Sequence, residues 1–314
     1  MWEPYGEGGG GGAPTATWLG AGAFTGVTRH RTEPAFAAAS SEIALYDMNR
    51  PSSGPTQTLR WPTSVDTVTA VALNQTETSI LASTATDRSL VLYDLRTSSP
   101  LHRAVLTMSC NAISWNPMEA FNLAVASEDH NIYLFDMRQL SRALHVLQDH
   151  VSAVLDVDFS PTGEELVSAS YDRSVRLWRR DHGHSRDVYH TSRMQRVFAA
   201  RWTPDAQYVV SGSDDGNVRV WRARAAERSH VRTARERQKL EYDEALKRRY
   251  GHMPEIRRIA RHRHVPKQVK KAGEIKREEV AAVRRREENE RRHSRKGERR
   301  RRSEREKMVL ATEE

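Results

Sequence analysis

From residue 68 onward, short runs of alternating apolar and polar positions recur along the chain at an even spacing. Val154–Phe159 alternates, Ser160-Pro161-Thr162-Gly163 breaks it, Glu165–Ser170 resumes, and a turn at Asp172 leads into Val175–Trp178. A period of two, punctuated by turn residues, predicts antiparallel strands joined by tight turns. The same text returns as Val197–Trp202, Tyr208–Ser213 and Val218–Trp221, and earlier as Val68–Leu73 with Ile80–Thr84 and Ala112–Trp115 with Leu123–Ser127. Each unit closes on an Asp with an aromatic six residues on: Asp87–Tyr93, Asp129–Phe135, Asp172–Trp178 and Asp215–Trp221. These aspartates lie 42, 43 and 43 residues apart. A repeat of about 40–45 residues built this way predicts four-stranded propeller blades, and one blade cannot bury its faces alone. Ala35–Ala39 and Glu42–Asp47 read as the last two strands of a further blade, with Tyr46 as its aromatic and no turn Asp.

After Trp221 the alternation stops. Thr233–Tyr250 is helical by composition, with Gly251 as a stop, and Pro254 opens a second short helix ending near Arg263. Pro266 breaks that helix, and Lys267 to about His293 reads as a long helix with few apolar residues, expected to stay loose until it lies on a partner. Residues 1–17 are Gly-rich and read as disordered. The expected organisation is therefore 1–17 disordered, 18–222 propeller blades, and 223–314 a basic helical region.

Charge sharpens this division. Of the overall +9, residues 222–314 carry 32 Lys+Arg against 17 Asp+Glu, net +15, leaving the blades net −6. An acidic β-rich body joined to a basic tail points to nucleic acid or an acidic surface as the tail's partner. The plainer alternative is a solvated helix laced with ion pairs. Cys110 is the single cysteine, so no disulfide frame is possible within the chain, and no apolar run approaches a membrane span of ~18 residues. The expectation is an intracellular protein with no membrane partner.

His150, Ser170, Asp172 and Trp178 would invite a hydrolase reading in isolation. Asp and aromatic recur in every clear blade, however, which one active site has no reason to do. The four are instead expected to form a hydrogen-bonded chain within one blade, satisfying buried polar groups. No Gly-rich phosphate loop, catalytic dyad or nucleophile elbow is present, so no catalytic residue, cofactor or small-molecule substrate is expected. The Arg/His block Met253–Lys267 is the densest candidate for RNA contact: Ile256 and Ile259 anchor one face while Arg257, Arg258, Arg261, Arg263, His262, His264 and Lys267 reach phosphate. A metal at His262 and His264 lacks a Cys or carboxylate partner, and none is expected.

Two consecutive blades end on an aromatic-Asp-x-Arg box, with Asp94 and Arg96 in one and Asp136 and Arg138 in the next. An ordinary strand-exit salt bridge explains each. The pair also resembles the docking box of substrate receptors for cullin-RING ubiquitin ligases.

The stretches WNPMEAFN (Trp115–Asn122), DHVSAVLDVDFSPTG (Asp149–Gly163), RMQRVF (Arg193–Phe198) and SGSDDGN (Ser211–Asn217), followed by MPEIRRIARHRHVPK, closely resemble the Sof-one-like WD-repeat proteins. The likeness runs from about Trp18 to His293. It implies an all-β WD-repeat propeller with a basic α-helical C-terminal extension. It also implies a nucleolar, non-catalytic scaffold of the small-subunit processome, required for maturation of 18S rRNA. The partners it implies are pre-rRNA, the small nucleolar RNA-containing pre-ribosome and other processome proteins. The alternative, from the animal relatives, is substrate receptor of a cullin-RING ligase, joined through the ligase adaptor. The family has seven blades and this chain about five, so the resemblance begins in mid-propeller. Either two blades were lost, as from a wrongly chosen start codon, or the ring closes abnormally. An open ring with bare strand edges is expected to be poorly stable.

Overall fold

The structure, a computed structural model, describes residues 17–20, 22–50, 54–62, 67–225, 231–295 and 298–313, with the Arg261 side chain left out. The disordered segment expected at 1–17 therefore lies almost wholly outside the described residues.

Five antiparallel sheets follow one another along the chain, each a blade. The first holds β1 (Gly26–Arg29), β2 (Ala35–Ala39), β3 (Ile43–Asp47) and β4 (Gln57–Leu59). It is a full four-stranded blade where the sequence offered only two strands. The second holds β5 (Val68–Leu73), β6 (Ile80–Ala85), β7 (Ser89–Asp94) and β8 (Ser99–Leu106). The third holds β9 (Cys110–Trp115), β10 (Asn122–Ser127), β11 (Ile132–Asp136) and β12 (His145–Leu147). The fourth holds β13 (Val154–Phe159), β14 (Glu165–Ser170), β15 (Val175–Arg179) and β16 (Ser185–Tyr189). The fifth has three strands, β17 (Val197–Trp202), β18 (Tyr208–Ser213) and β19 (Val218–Arg222).

The first strands of successive blades, β1, β5, β9, β13 and β17, lie side by side. Side chains tie them together, because their backbones already pair within their own blades. Thr28 Oγ1 accepts from Leu73 N at 3.2 Å, Thr69 Oγ1 donates to Cys110 O at 2.7 Å, and Asn111 Nδ2 donates to Val154 O at 2.9 Å. Between the last two blades, Asp156 and Asp158 accept from Ala200 N and Trp202 N, each at 3.0 Å.

Period-two alternation sends one residue set of a blade to the preceding neighbour and the other to the following one. In the fourth blade Leu166 and Trp178 pack on the third, with Ala124 and Leu134. Val167, Val175 and Leu177 pack on the fifth, with Val197 and Val209. All of these are buried. In the second to fifth blades the turn into the third strand is built alike. The Asp Oδ1 accepts from the N–H two residues on, at 2.9 Å in Asp87, 3.0 Å in Asp129 and Asp172, and 3.4 Å in Asp215. The residue between, Arg88, His130, Arg173 or Gly216, takes positive φ. Glycine takes it freely; the other three carry its steric cost against that side-chain bond.

The extension comprises α1 (Ala234–Tyr250), α2 (Pro254–Arg261), α3 (Lys267–His293), α4 (Glu304–Lys307) and β20 (Val309–Glu313). A capping box between Thr233 and Glu236 starts α1, which has no buried residue. The arm expected to be loose is seated on the blades from Arg263 onward. Its last strand, β20, pairs antiparallel with β8 and makes the second blade five-stranded. Met308 and Val309 enter the apolar core shared by the second and third blades.

Candidate functional site

Three groups of residues bear on function: the buried polar chain of the fourth blade, the two boxes at strand exits, and the junction between extension and blades.

In the fourth blade, Trp178 Nε1 donates to Ser168 Oγ at 2.7 Å, Ser168 bonds His150 Nε2 at 2.7 Å, and His150 Nδ1 bonds Asp172 Oδ2 at 2.7 Å. The serine in this chain is Ser168, which corrects the expectation of Ser170. Trp178 sits opposite Leu166 in register, so its indole reaches the same-face diagonal neighbour Ser168; Ser170 lies two residues farther along β14. Ser170 Oγ instead donates to Ala153 O at 2.8 Å and accepts from Asp172 N at 3.2 Å. The indole N–H can only donate, so the Ser168 hydroxyl donates onward to His150 Nε2, and the proton sits on His150 Nδ1, facing Asp172. Burial keeps the imidazole neutral by depressing its pKa, against the pull of Asp172. Burial acts on Asp172 in the opposite sense, but His150, the Arg176 charge and the Ser174 hydroxyl outweigh it and hold the carboxyl well below its ordinary range. The group is buried throughout and offers no nucleophile to a substrate.

The other blades vary the same device. Trp221 Nε1 donates to Ser211 Oγ at 2.8 Å, and Tyr93 hydrogen-bonds Ser83. In the third blade the aromatic is Phe135, which has no donor, and Val125 stands where the second, fourth and fifth blades carry serine. The turn aspartates likewise find different partners: Arg103 for Asp87 at 2.9 Å, the Tyr133 hydroxyl for Asp129, and Arg219 for Asp215. A serine ten residues before Tyr93, Trp178 and Trp221 was the sequence signal for Ser168.

The boxes share one geometry. Asp94 Oδ1 accepts from Arg96 N at 2.9 Å, and its Oδ2 from Arg96 Nη2 at 3.2 Å. Asp136 does the same with Arg138, at 2.9 and 2.8 Å. Hydrogen bonds from the arginine hold each carboxyl below its ordinary pKa. Both guanidinium side chains stay open to solvent, 78% for Arg96 and 62% for Arg138, and Arg138 also lies over the Phe121 ring at 4.2 Å. A shifted copy in the first blade was missed in sequence: Asp47 Oδ1 accepts from Asn49 N at 2.9 Å, with Arg50 one position late.

At the junction, the Arg/His block divides. Arg263 donates through Nε to Arg186 O and lies 3.8 Å from Asp187, and His264 stacks on His190 with ring centroids 5.2 Å apart. These two residues hold the extension on the fourth blade. Arg257, Arg258, His262 and Lys267 face solvent. Of the two isoleucines expected to anchor one face, Ile256 is half-buried and Ile259 is 70% exposed. Arg261 lies on α2, its side chain outside the described residues. Beyond Pro266, Val269 is buried, and Lys276 Nζ donates to His150 O at 2.8 Å. Farther on, Gln148 Nε2 donates to Glu304 Oε2 at 2.9 Å, Ala143 N to Arg305 O at 3.0 Å, and Thr107 N to Met308 O at 2.9 Å. Among the described residues no group of three His, Cys, Asp or Glu is placed to hold a metal, and no helix is long and apolar enough to cross a membrane.

Comparison with known proteins decides the family. A Sof1-like domain matches residues 223–309, and WD domain, G-beta repeats match 141–179 and 182–222. Protein SOF1 of Saccharomyces cerevisiae is 56% identical over 268 residues, 85% of this chain and 54% of that protein. DDB1- and CUL4-associated factor 13 of Xenopus laevis is 45% identical over 303 residues, 96% of this chain and 67% of that protein. The chain belongs to the Sof1-like WD-repeat family. Protein sof1 of Schizosaccharomyces pombe is 52% identical over 294 residues, 94% of this chain and 66% of that protein. The chain thus spans between about half and two thirds of the length of these Sof1-like relatives. The Sof1-like match ends at residue 309, where β20 begins, so it takes in the helices that rest on the blades.

Proposed function

We propose that this chain acts as a non-catalytic scaffold in assembly of the small ribosomal subunit, within the nucleolar small-subunit processome, where it supports maturation of 18S rRNA. The blades dock neighbouring assembly proteins, and the extension contacts pre-rRNA in the snoRNA-containing pre-ribosome. One observation supports this above others: an extension of net +15, belonging to the Sof1-like family, is fixed on an acidic propeller with Arg257, Arg258, His262 and Lys267 turned outward. A cationic surface held in place binds RNA mainly by neutralising phosphates, so affinity falls steeply with salt. Sedimentation of the tagged full chain, with sequencing of the RNA that travels with it, tests the reading. Pre-rRNA of the small subunit is the expected cargo, released as salt is raised. A chain that sediments free of pre-ribosomes at every salt concentration overturns it.

The paired boxes favour a second reading, receptor of a cullin-RING ligase. Arg96 and Arg138 are exposed and held alike on neighbouring blades, and the frog relative carries the name of a DDB1- and CUL4-associated factor. Replacing both arginines with Ala is expected to abolish co-purification of DDB1 while leaving pre-ribosome association intact. Unchanged DDB1 recovery makes the boxes structural.

A further inference from the structure

Between α3 and the fourth blade lies a cavity of about 1050 Å³. Cations line it from both sides: Arg176 of β15 from the blade, and Lys270, Lys276 and Arg277 from the helix. Asp149 is the one carboxylate among its described lining residues. That carboxylate is already engaged, accepting from Ser185 N at 2.6 Å, Ser185 Oγ at 2.7 Å and His184 Nδ1 at 2.9 Å. Arg176 is only 5% exposed. Its Nη1 donates to Ser185 Oγ at 3.1 Å and lies 3.7 Å from Asp149 Oδ2, whereas its buried Nε has no hydrogen-bond partner among the described residues. A buried N–H without an acceptor is rare in folded proteins and calls for one. Lys276 is half-buried beside it; burial, with the Arg176 charge, lowers its pKa, while Asp129 and Asp149 act the other way.

A second cavity, of about 1490 Å³ at the far end of α3, is more evenly charged. There Arg284 pairs with Glu304, Arg299 with Glu290 and Lys307 with Glu287. Among the described lining residues, eight Arg and Lys face six carboxylates there, whereas around the first cavity six Arg and Lys face one.

We propose that the cavity between α3 and the fourth blade receives phosphates of a single-stranded RNA segment, with Arg176 and Lys276 as its floor and Lys270 and Arg277 at its rim. This rests on the reading that the extension contacts RNA, and it moves the main contact from the outer face of α2 to the underside of α3. Phosphate oxygens accept from several directions at once, which suits donors converging from a blade and a helix. The volume is that of a small-ligand site, which admits an unpaired stretch and not a duplex. His264, which also lines the cavity, adds a ring on which a base can stack.

The test uses the full chain and a short fluorescent oligouridylate, read by anisotropy. The double variant Lys270→Glu/Arg277→Glu changes two exposed residues and is expected to keep the wild-type melting temperature while binding RNA about tenfold more weakly or worse. Arg257→Glu/Arg258→Glu on α2 is expected to lose about threefold at most, the share of more distant, screened charges. Tripolyphosphate is expected to displace the RNA where sulfate of matched ionic strength does not. Wild-type affinity in the cavity variant overturns the proposal, as does a larger loss in the α2 variant, or displacement by polyglutamate as effective as by tripolyphosphate. Wild-type protein that takes tripolyphosphate but no RNA also overturns it, while pre-ribosome membership, read by sedimentation, stands separately.

Discussion

The fourth and fifth blades carry nearly the same pattern of residues and live in different surroundings. Val175 and Leu177 of β15 are completely buried, whereas their counterparts in the fifth blade, Val218 and Val220 of β19, are 72% and 64% exposed. On the inward side of the fifth blade, Val209 and Ala200 are buried as fully as residues of the fourth, and Trp221 partly so. A blade's pattern therefore states what it can bury, and a neighbour decides whether it does. The first blade meets the same problem differently. Its outer face holds Phe36 and Tyr46, stacked at 5.2 Å, and Trp18 lies edge-on against Phe36 at 5.2 Å as a partial cover.

The widest gap between the two blades should appear in their apolar residues. Leu177→Ala leaves a cavity between packed sheets and is expected to cost about 2–5 kcal/mol, whereas Val220→Ala at an open face stays within about 0.5 kcal/mol. Urea denaturation of both variants measures this; equal losses would mean that the fifth blade is covered in solution. A smaller gap is expected in the polar pairs. Ser168→Ala strands the buried Trp178 N–H and the His150 nitrogen, at about 1–3 kcal/mol, while Ser211→Ala costs less because Trp221 is only partly buried. Substitution of Ser170, which is not in the chain, separates the two serines within one blade.

The smallest difference lies in pH. His150 is neutral when folded, with its pKa depressed by burial, so its contribution is complete above its unfolded value near 6.5 and fades as pH falls. The slope is at most about 1.4 kcal/mol per pH unit. Asp156, pushed up to about 6 by burial, works the other way, keeping its proton when folded and adding stability as pH falls through that value. It is common to wild type and His150→Gln, so the difference between their melting temperatures from pH 7 to 5 isolates the histidine. Parallel profiles would assign His150 no titrating role.

The inner three strands of most blades were legible because each carries a strong local mark: a clean alternation, a Pro or Gly turn, or the Asp-aromatic pair. The outer strands were not. β12 is three residues long, and every residue of β16 is half-buried, so neither shows the contrast on which periodicity depends. Gly163 was legible as a turn, but not the reason it must be glycine: φ is +72°, and a Cβ there would come within 2.5 Å of Asn116 Oδ1 in the third blade. The first three helices of the extension were readable from composition and caps; the short α4 was not. Their docking was not, because it runs through polar contacts such as His264 on His190 and Lys276 on a carbonyl, which leave no apolar stripe. The assignment of Ser170 failed on register, which alternation alone fixes only to within two residues.

The pairing of β20 with β8 brings Glu313 to Arg103 across 210 residues, at 3.1 Å. During synthesis the outer edge of the second blade must therefore wait, its N–H and C=O groups unmatched, while the ribosome makes everything in between. A chain stalled or clipped before residue 309 would display that edge to any passing strand.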